Sequence, residues 1–287
     1  MRLGNQIKTV LLLGILTGIL LGVGWLIGGY NGLTIALIFS VAINFFSYWF
    51  SDKIVLFMYR AKEIKENDEP MLFKIVREVS QMAAIPMPKV YIIPGAFSNA
   101  FATGRSIKHA AVACTQGILG LLNDSELRGV IAHEISHIKN KDILVQSIAA
   151  TIAGIISYIA AIARWGAIFG GFGGRDRDGP NILEFLVLAI LTPILATLIQ
   201  LAISRSREYL ADESGARLMH SGLGLASALE KLDADIKRKP LMSNSTTETT
   251  SHLFIASPFG REGWLVNLFM THPPMAKRIK RLRSMQL

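Results

Sequence analysis

Ile131-Ala132-His133-Glu134-Ile135-Ser136-His137 is the stretch on which the reading of this chain turns. A His-Glu-x-x-His run on a helix sets two imidazoles four residues apart. Both then project from one face, with the glutamate beside them. That spacing suits a zinc ion held by His133 and His137, with Glu134 placed to take a proton from a water that the ion activates. Asn123, Asp124 and Ser125 lie where a helix carrying this run needs a cap.

Two histidines leave a catalytic zinc one protein ligand short. The candidates are carboxylates and the histidines at 109, 220, 252 and 272. The pattern Ser206-Arg207-Glu208-Tyr209-Leu210-Ala211-Asp212 stands out, because Glu208 and Asp212 share a helix face. Glu208 can bind the metal while Asp212, one turn on, receives the second ring N–H of a zinc histidine. The other readings are an ion pair of Glu208 with Arg205 or Arg207, and a plain surface role for Asp212. His109, His220 and His252 read as ordinary. His272 precedes Pro273 and Pro274, which would hold it rigidly, so it is a candidate donor to the oxyanion of a tetrahedral intermediate. Arg278 is either a structural ion-pair donor or a group that orients a carboxylate near the site.

The rest of the chain places this site at a membrane. Of 287 residues, 51% are hydrophobic and 18% charged, against about 25% charged in an average soluble chain. Residues 10–27, 33–50, 143–163 and 185–203 carry no charge. Each is close to the roughly 20 residues that a helix needs to cross a bilayer. The expectation is four transmembrane helices, the first pair an uncleaved hairpin, since no small-residue cleavage site stands out before the second block. Basic residues flank that hairpin while its tip at 28–32 is bare, which predicts both termini and the polar segments on the cytoplasmic side. The net charge of +9 then serves orientation against an anionic surface rather than nucleic-acid binding, for which no motif is present. The lone Cys114 permits no intramolecular disulfide and reads as core packing.

Four units follow. Residues 1–57 form the N-terminal hairpin. Residues 58–142 form the first part of a polar domain: a helix over 69–84, strands at 90–93, 99–104 and from 110 to 115 or on toward 119, then the motif helix. Residues 143–203 form a second transmembrane pair around a glycine-rich loop at 164–181. Residues 204–287 complete the polar domain with two helices, a polar linker at 240–250 that is a ready target for self-cleavage, and a basic C-terminal helix. The motif helix either runs on into the third block or bends just before it, with Asn140, Lys141 and Asp142 marking the interface. If blocks three and four are neighbours, their ends bring His137 and Glu208 together. A small sheet before the motif helix also offers an edge on which an extended peptide can lie.

The ordered set His133-Glu134-Ile135-Ser136-His137, Glu208-Tyr209-Leu210-Ala211-Asp212, Asn99-Ala100-Phe101-Ala102-Thr103-Gly104 and Thr271-His272-Pro273-Pro274 with Arg278 resembles the M48 metallopeptidases, in particular their HtpX-type bacterial heat-shock membrane proteases. The resemblance covers almost the whole chain. It implies an α+β, mainly helical, zincin-like (gluzincin) fold with four transmembrane helices. It implies one Zn2+ held by His133, His137 and Glu208, and Glu134 as base. Asn99, Ala100, Phe101, Ala102 and Thr103 match a strand beside the substrate cleft. It further implies a catalytic domain facing the cytoplasm of a bacterial inner membrane, misfolded or damaged membrane proteins as substrates, and work alongside other membrane proteases. A scaffold that keeps the fold without turnover, a four-helix transporter and an intramembrane protease are the other classes. The spans hold almost no charge, against a transporter, and the motif is flanked by charge, against a site deep in the bilayer.

Overall fold

The hydrophobic N-terminal fifth folds into α1 (Arg2–Met58), two helical limbs that reverse at Gly28 and Gly29. Gly29 has φ +54, a left-handed conformation that costs a glycine little. The turn is tighter than the sequence implies, because Tyr30 to Gly32 are already helical. The limbs run antiparallel and close: a Cβ on Gly24 would meet the Gly32 carbonyl oxygen at 2.5 Å, and the Asn44 side-chain amide donates to Thr17 Oγ1 over 2.8 Å. Gly28–Met58 is long and apolar enough to cross a membrane. Ile38, Phe39, Val41, Phe45, Phe46 and Trp49 are all exposed on it, an apolar surface suited to lipid rather than water.

The computed structural model describes residues 2–152, 205–239, 253–255 and 273–286. Most of the third apolar block, the loop at 164–181, the fourth block, the linker at 240–250, His252 and His272 lie outside the described residues.

Beyond α1 come β1 (Lys62–Glu63), α2 (Pro70–Met82), β2 (Lys89–Ile93), β3 (Ala100–Ser106), β4 (His109–Thr115), α3 (Gln116–Leu121) and α4 (Asp124–Asn140). They are followed by α5 (Ile143–Ile152), α6 (Arg205–Leu218), α7 (Leu223–Arg238) and α8 (Met275–Arg283). The strands form one sheet in the order β1-β2-β4-β3, with β2 and β4 parallel and the other pairs antiparallel. β4 does not run on toward residue 119. The Thr115 side chain caps the Ile118 N–H and starts α3 instead.

The sheet separates two cores. Ala110, Val112 and Cys114 of β4 face α2, α4 and α7, while Ala111 and Ala113 face the end of α1 and an aromatic group of Tyr59, Phe101 and Phe254. The small residues of β4 let both layers approach closely.

α4 lies at the centre of the first core. Asn123 caps it, its Oδ1 accepting from the Glu126 N–H while Glu126 Oε2 accepts from the Asn123 N–H, a reciprocal pair worth about 1 kcal/mol. Glu126 also accepts from Ser227 and Lys231 of α7, at 2.7 and 2.8 Å. Every residue from Gly129 to Ile138 is buried. A helix buried all round cannot carry His, Glu and Ser there unless each finds a partner.

Candidate metal centre

His133 and His137 point to the same spot from α4, and Glu208 meets them from α6. Their ligating atoms lie within 4.8 Å of one another, and all three residues are buried. The two Nε2 atoms are 3.2 Å apart. Glu208 Oε2 lies 3.7 Å from His133 Nε2, and its Oε1 lies 3.5 Å from His137 Nε2. A tetrahedral zinc with bonds of about 2.0–2.1 Å holds its ligand atoms about 3.3 Å apart, so the triangle fits the ion.

The tautomers agree. His133 Nδ1 is 2.9 Å from Asp212 Oδ1, and His137 Nδ1 is 3.3 Å from Asp142 Oδ2. With each Nδ1–H donated to a carboxylate, each Nε2 carries a lone pair. In the neutral imidazoles these two lone pairs face each other at 3.2 Å, an arrangement that a cation between them would stabilise.

Arg278, the largest fully buried side chain among the described residues, holds Asp212 in turn. Its Nε and Nη2 donate to the two carboxylate oxygens at 2.9 and 2.7 Å, and its Nη1 donates to the Ile255 carbonyl at 2.8 Å. Nη1 also lies 3.8 Å from Glu208 Oε2. Burial works to raise the Asp212 carboxyl. The charge of Arg278 and the hydrogen bonds from His133 and Arg278 outweigh it and hold the group at about 2. Arg278 thus orients a carboxylate beside the site.

Burial pushes the Glu134 carboxyl up to about 8, with His137, the Ala102 N–H and Arg278 pulling the other way and Glu208 adding to the rise. The Ala102 N–H is near enough to that carboxylate to favour its ionised form, which sets the middle of β3 against the glutamate. Asn99, Ala100, Phe101, Ala102 and Thr103 are all buried. Ala100 accepts from the Ile255 N–H at 3.2 Å, and Thr103 pairs with Ser147 of α5 at 2.7 Å.

Two contacts at this site go beyond the sequence reading. Asp142, at the expected interface, has its carboxylate buried against His137, because the chain takes the second of the two expected courses and bends at Lys141. Arg207, read from the sequence as a candidate ion-pair partner of Glu208, is buried with Nε 3.8 Å from Asp142 Oδ1. The interval of five residues from His137 to Asp142 is the only sequence signal for this pair. His109 is on the surface against Ser106, and His220 lies in the turn after α6 with φ +51; neither is part of the cluster.

Gly215 lets α6 reach α4. A Cβ there would come within 3.0 Å of the His133 nitrogen and 3.1 Å of the Ala132 carbonyl carbon. Gly215→Val is expected to push α6 off α4, at a cost of about 1–3 kcal/mol, and to lower bound metal measured by mass spectrometry. Unchanged metal content would mean that this close approach does not hold Glu208 in place.

The profile of peptidase family M48 matches residues 66–286. A protease HtpX homolog of Desulfatibacillum aliphaticivorans is 54% identical over 281 residues, 98% of this chain and 89% of the relative. One from Pyrococcus furiosus is 51% identical over 287 residues, 100% of this chain and 98% of the relative. Among solved structures, S. mikatae Ste24p shares the fold with a TM-score of 0.51 at 19% identity, over 98% of this chain and 65% of that one. With the buried His-His-Glu triangle set between two helices behind a small sheet, these likenesses have one reading: the chain belongs to peptidase family M48, alongside the HtpX protease homologues.

Proposed function

We propose that this chain is a zinc-dependent endopeptidase of the membrane. The observation that carries the proposal is that the two Nε2 atoms and Glu208 meet at the edge lengths of a zinc tetrahedron. Two imidazoles and one carboxylate leave a position open, as catalytic zinc sites do. When bound, the ion would supply Lewis acidity toward a peptide carbonyl and lower the pKa of water toward neutrality.

The chain's own groups do the rest. Glu134 takes the proton from the attacking water and returns it to the leaving amine. A carboxyl raised by burial suits proton transfer near neutral pH, and a neighbouring dication draws it back toward the ionised form. The Ala102 N–H favours the ionised carboxylate as well. Asp212 and Arg278 hold His133 in its tautomer. An extended peptide is taken beside β3, along Asn99 to Thr103, with the scissile bond opposite Ala102. His272 is the proposed donor to the oxyanion of the tetrahedral intermediate.

Residues 58–142 and 204–287 form the catalytic unit on the cytoplasmic side, and 1–57 and 143–203 supply four spans. Misfolded or damaged membrane proteins of a bacterial inner membrane are the proposed substrates, with other membrane proteases as associates. An inactive scaffold is the competing reading, but it leaves Glu134 buried at the site without a task. Purified chain is expected to hold one zinc and to cleave casein. A strong chelator should abolish cleavage, and added zinc should restore it. Cleavage indifferent to the chelator would sink the assignment.

A further inference from the structure

We propose that Asp142 is a positioning residue for His137, and that it clamps the metal centre to the head of the third apolar helix. The inference rests on the reading of His137 as a metal ligand. α4 ends at Lys141, which takes the left-handed conformation at φ +61, one that a side chain enters only at a cost. The turn brings Asp142 back over the last coil of α4. The Asp142 N–H donates to the His137 carbonyl at 3.0 Å, and its Oδ2 lies 3.3 Å from His137 Nδ1. Backbone and side chain of one residue therefore both hold His137. Asp142 is only 3% exposed, its carbonyl accepts from the Gln146 N–H of α5 at 3.3 Å, and its Oδ1 faces Arg207 Nε of α6.

The arrangement is a looser counterpart of that on the other histidine, with Arg207 Nε 3.8 Å from Asp142 where Arg278 donates twice to Asp212. His133, Asp212 and Arg278 form one row, and His137, Asp142 and Arg207 form the other. In each, a carboxylate selects the Nδ1–H tautomer and so aims Nε2 at the metal. The second row differs in origin. Its aspartate begins α5 and its arginine lies in the first turn of α6, so the orientation of His137 depends on how those helices meet α4.

A helix cap would also explain an aspartate here, and the variants separate the two roles. Serine caps as well as aspartate but is too short to keep the contact with His137. Asparagine keeps an acceptor oxygen without the charge. The full-length chain in detergent, loaded with zinc or with cobalt, gives two readouts: the rate of zinc loss to a chelator, and the visible spectrum of the cobalt form. Asp142→Ser is expected to weaken zinc retention about 10- to 100-fold and to shift the cobalt spectrum. Asp142→Asn should show a smaller loss in the same direction, and Lys139→Ala, at an exposed site, none. Wild-type zinc loss and spectrum in Asp142→Ser overturn the inference, even if its melting temperature falls. Should that variant not fold, the same result in Asp142→Asn overturns it. A wild-type chain that takes up no zinc sinks the metal-site reading and this inference together. Zinc-binding wild type with indifferent Asp142 variants sinks this inference alone.

Discussion

Glu134→Gln is expected to keep its metal and lose turnover by about 100- to 10,000-fold, the range for removal of a general base. The amide fills the same volume and can still meet the Ala102 N–H through its oxygen, so the pocket should persist. It cannot carry a proton from water to amine. The wild-type carboxyl is buried, and the charge of Glu208 opposes its ionisation. A neutral side chain relieves that opposition, so the variant should melt no lower than the wild type. Metal content by mass spectrometry, casein cleavage and a thermal scan on the same preparations decide the matter. Equal cleavage by both proteins would remove Glu134 from the chemistry, and loss of zinc would recast it as a structural group.

Arg278→Ala should be the most destabilising single change. It deletes the partner of a buried carboxylate and leaves Asp212 without its two charged hydrogen bonds, a situation that costs about 3–5 kcal/mol. Arg278→Lys should recover only part, since an ammonium cannot match both carboxylate oxygens in the plane. The loss should reach the metal too, because Asp212 set free no longer fixes His133. The dependence on pH has a definite sign. Asp212 is held at about 2 in the folded chain, so its contribution is present above the ordinary carboxylate range and lost as pH falls toward 2. Denaturant unfolding of the metal-free chain measures the cost. A change below about 1 kcal/mol, the scale of an exposed ion pair, would show that the pair does not anchor the site.

The chemistry of the centre is legible in the sequence wherever helix period alone sets the geometry. His133, Glu134 and His137 lie within one turn, and Glu208 and Asp212 repeat that spacing, so their shared faces follow from 3.6 residues per turn. Asp142 is not legible by the same rule. Polar residues ahead of an apolar block look like a boundary, and nothing in composition announces that Lys141 turns left-handed. β1 is missed because two residues gain their extended form only by pairing with β2. Thr115 marks the limit of propensity: a threonine after a run of small β residues reads as more strand, but its hydroxyl caps a helix. The first hairpin is readable as two blocks, because its limbs need only length and apolarity, while its turn is fixed by one glycine angle.

The corner at Lys141 gives the chain a ruler. One residue more or fewer between His137 and the head of α5 would swing the next helix by about 100° and carry the aspartate to another side. The count of residues at this bend cannot drift, so a relative that keeps both histidines but changes that count must steady its second imidazole by some other means.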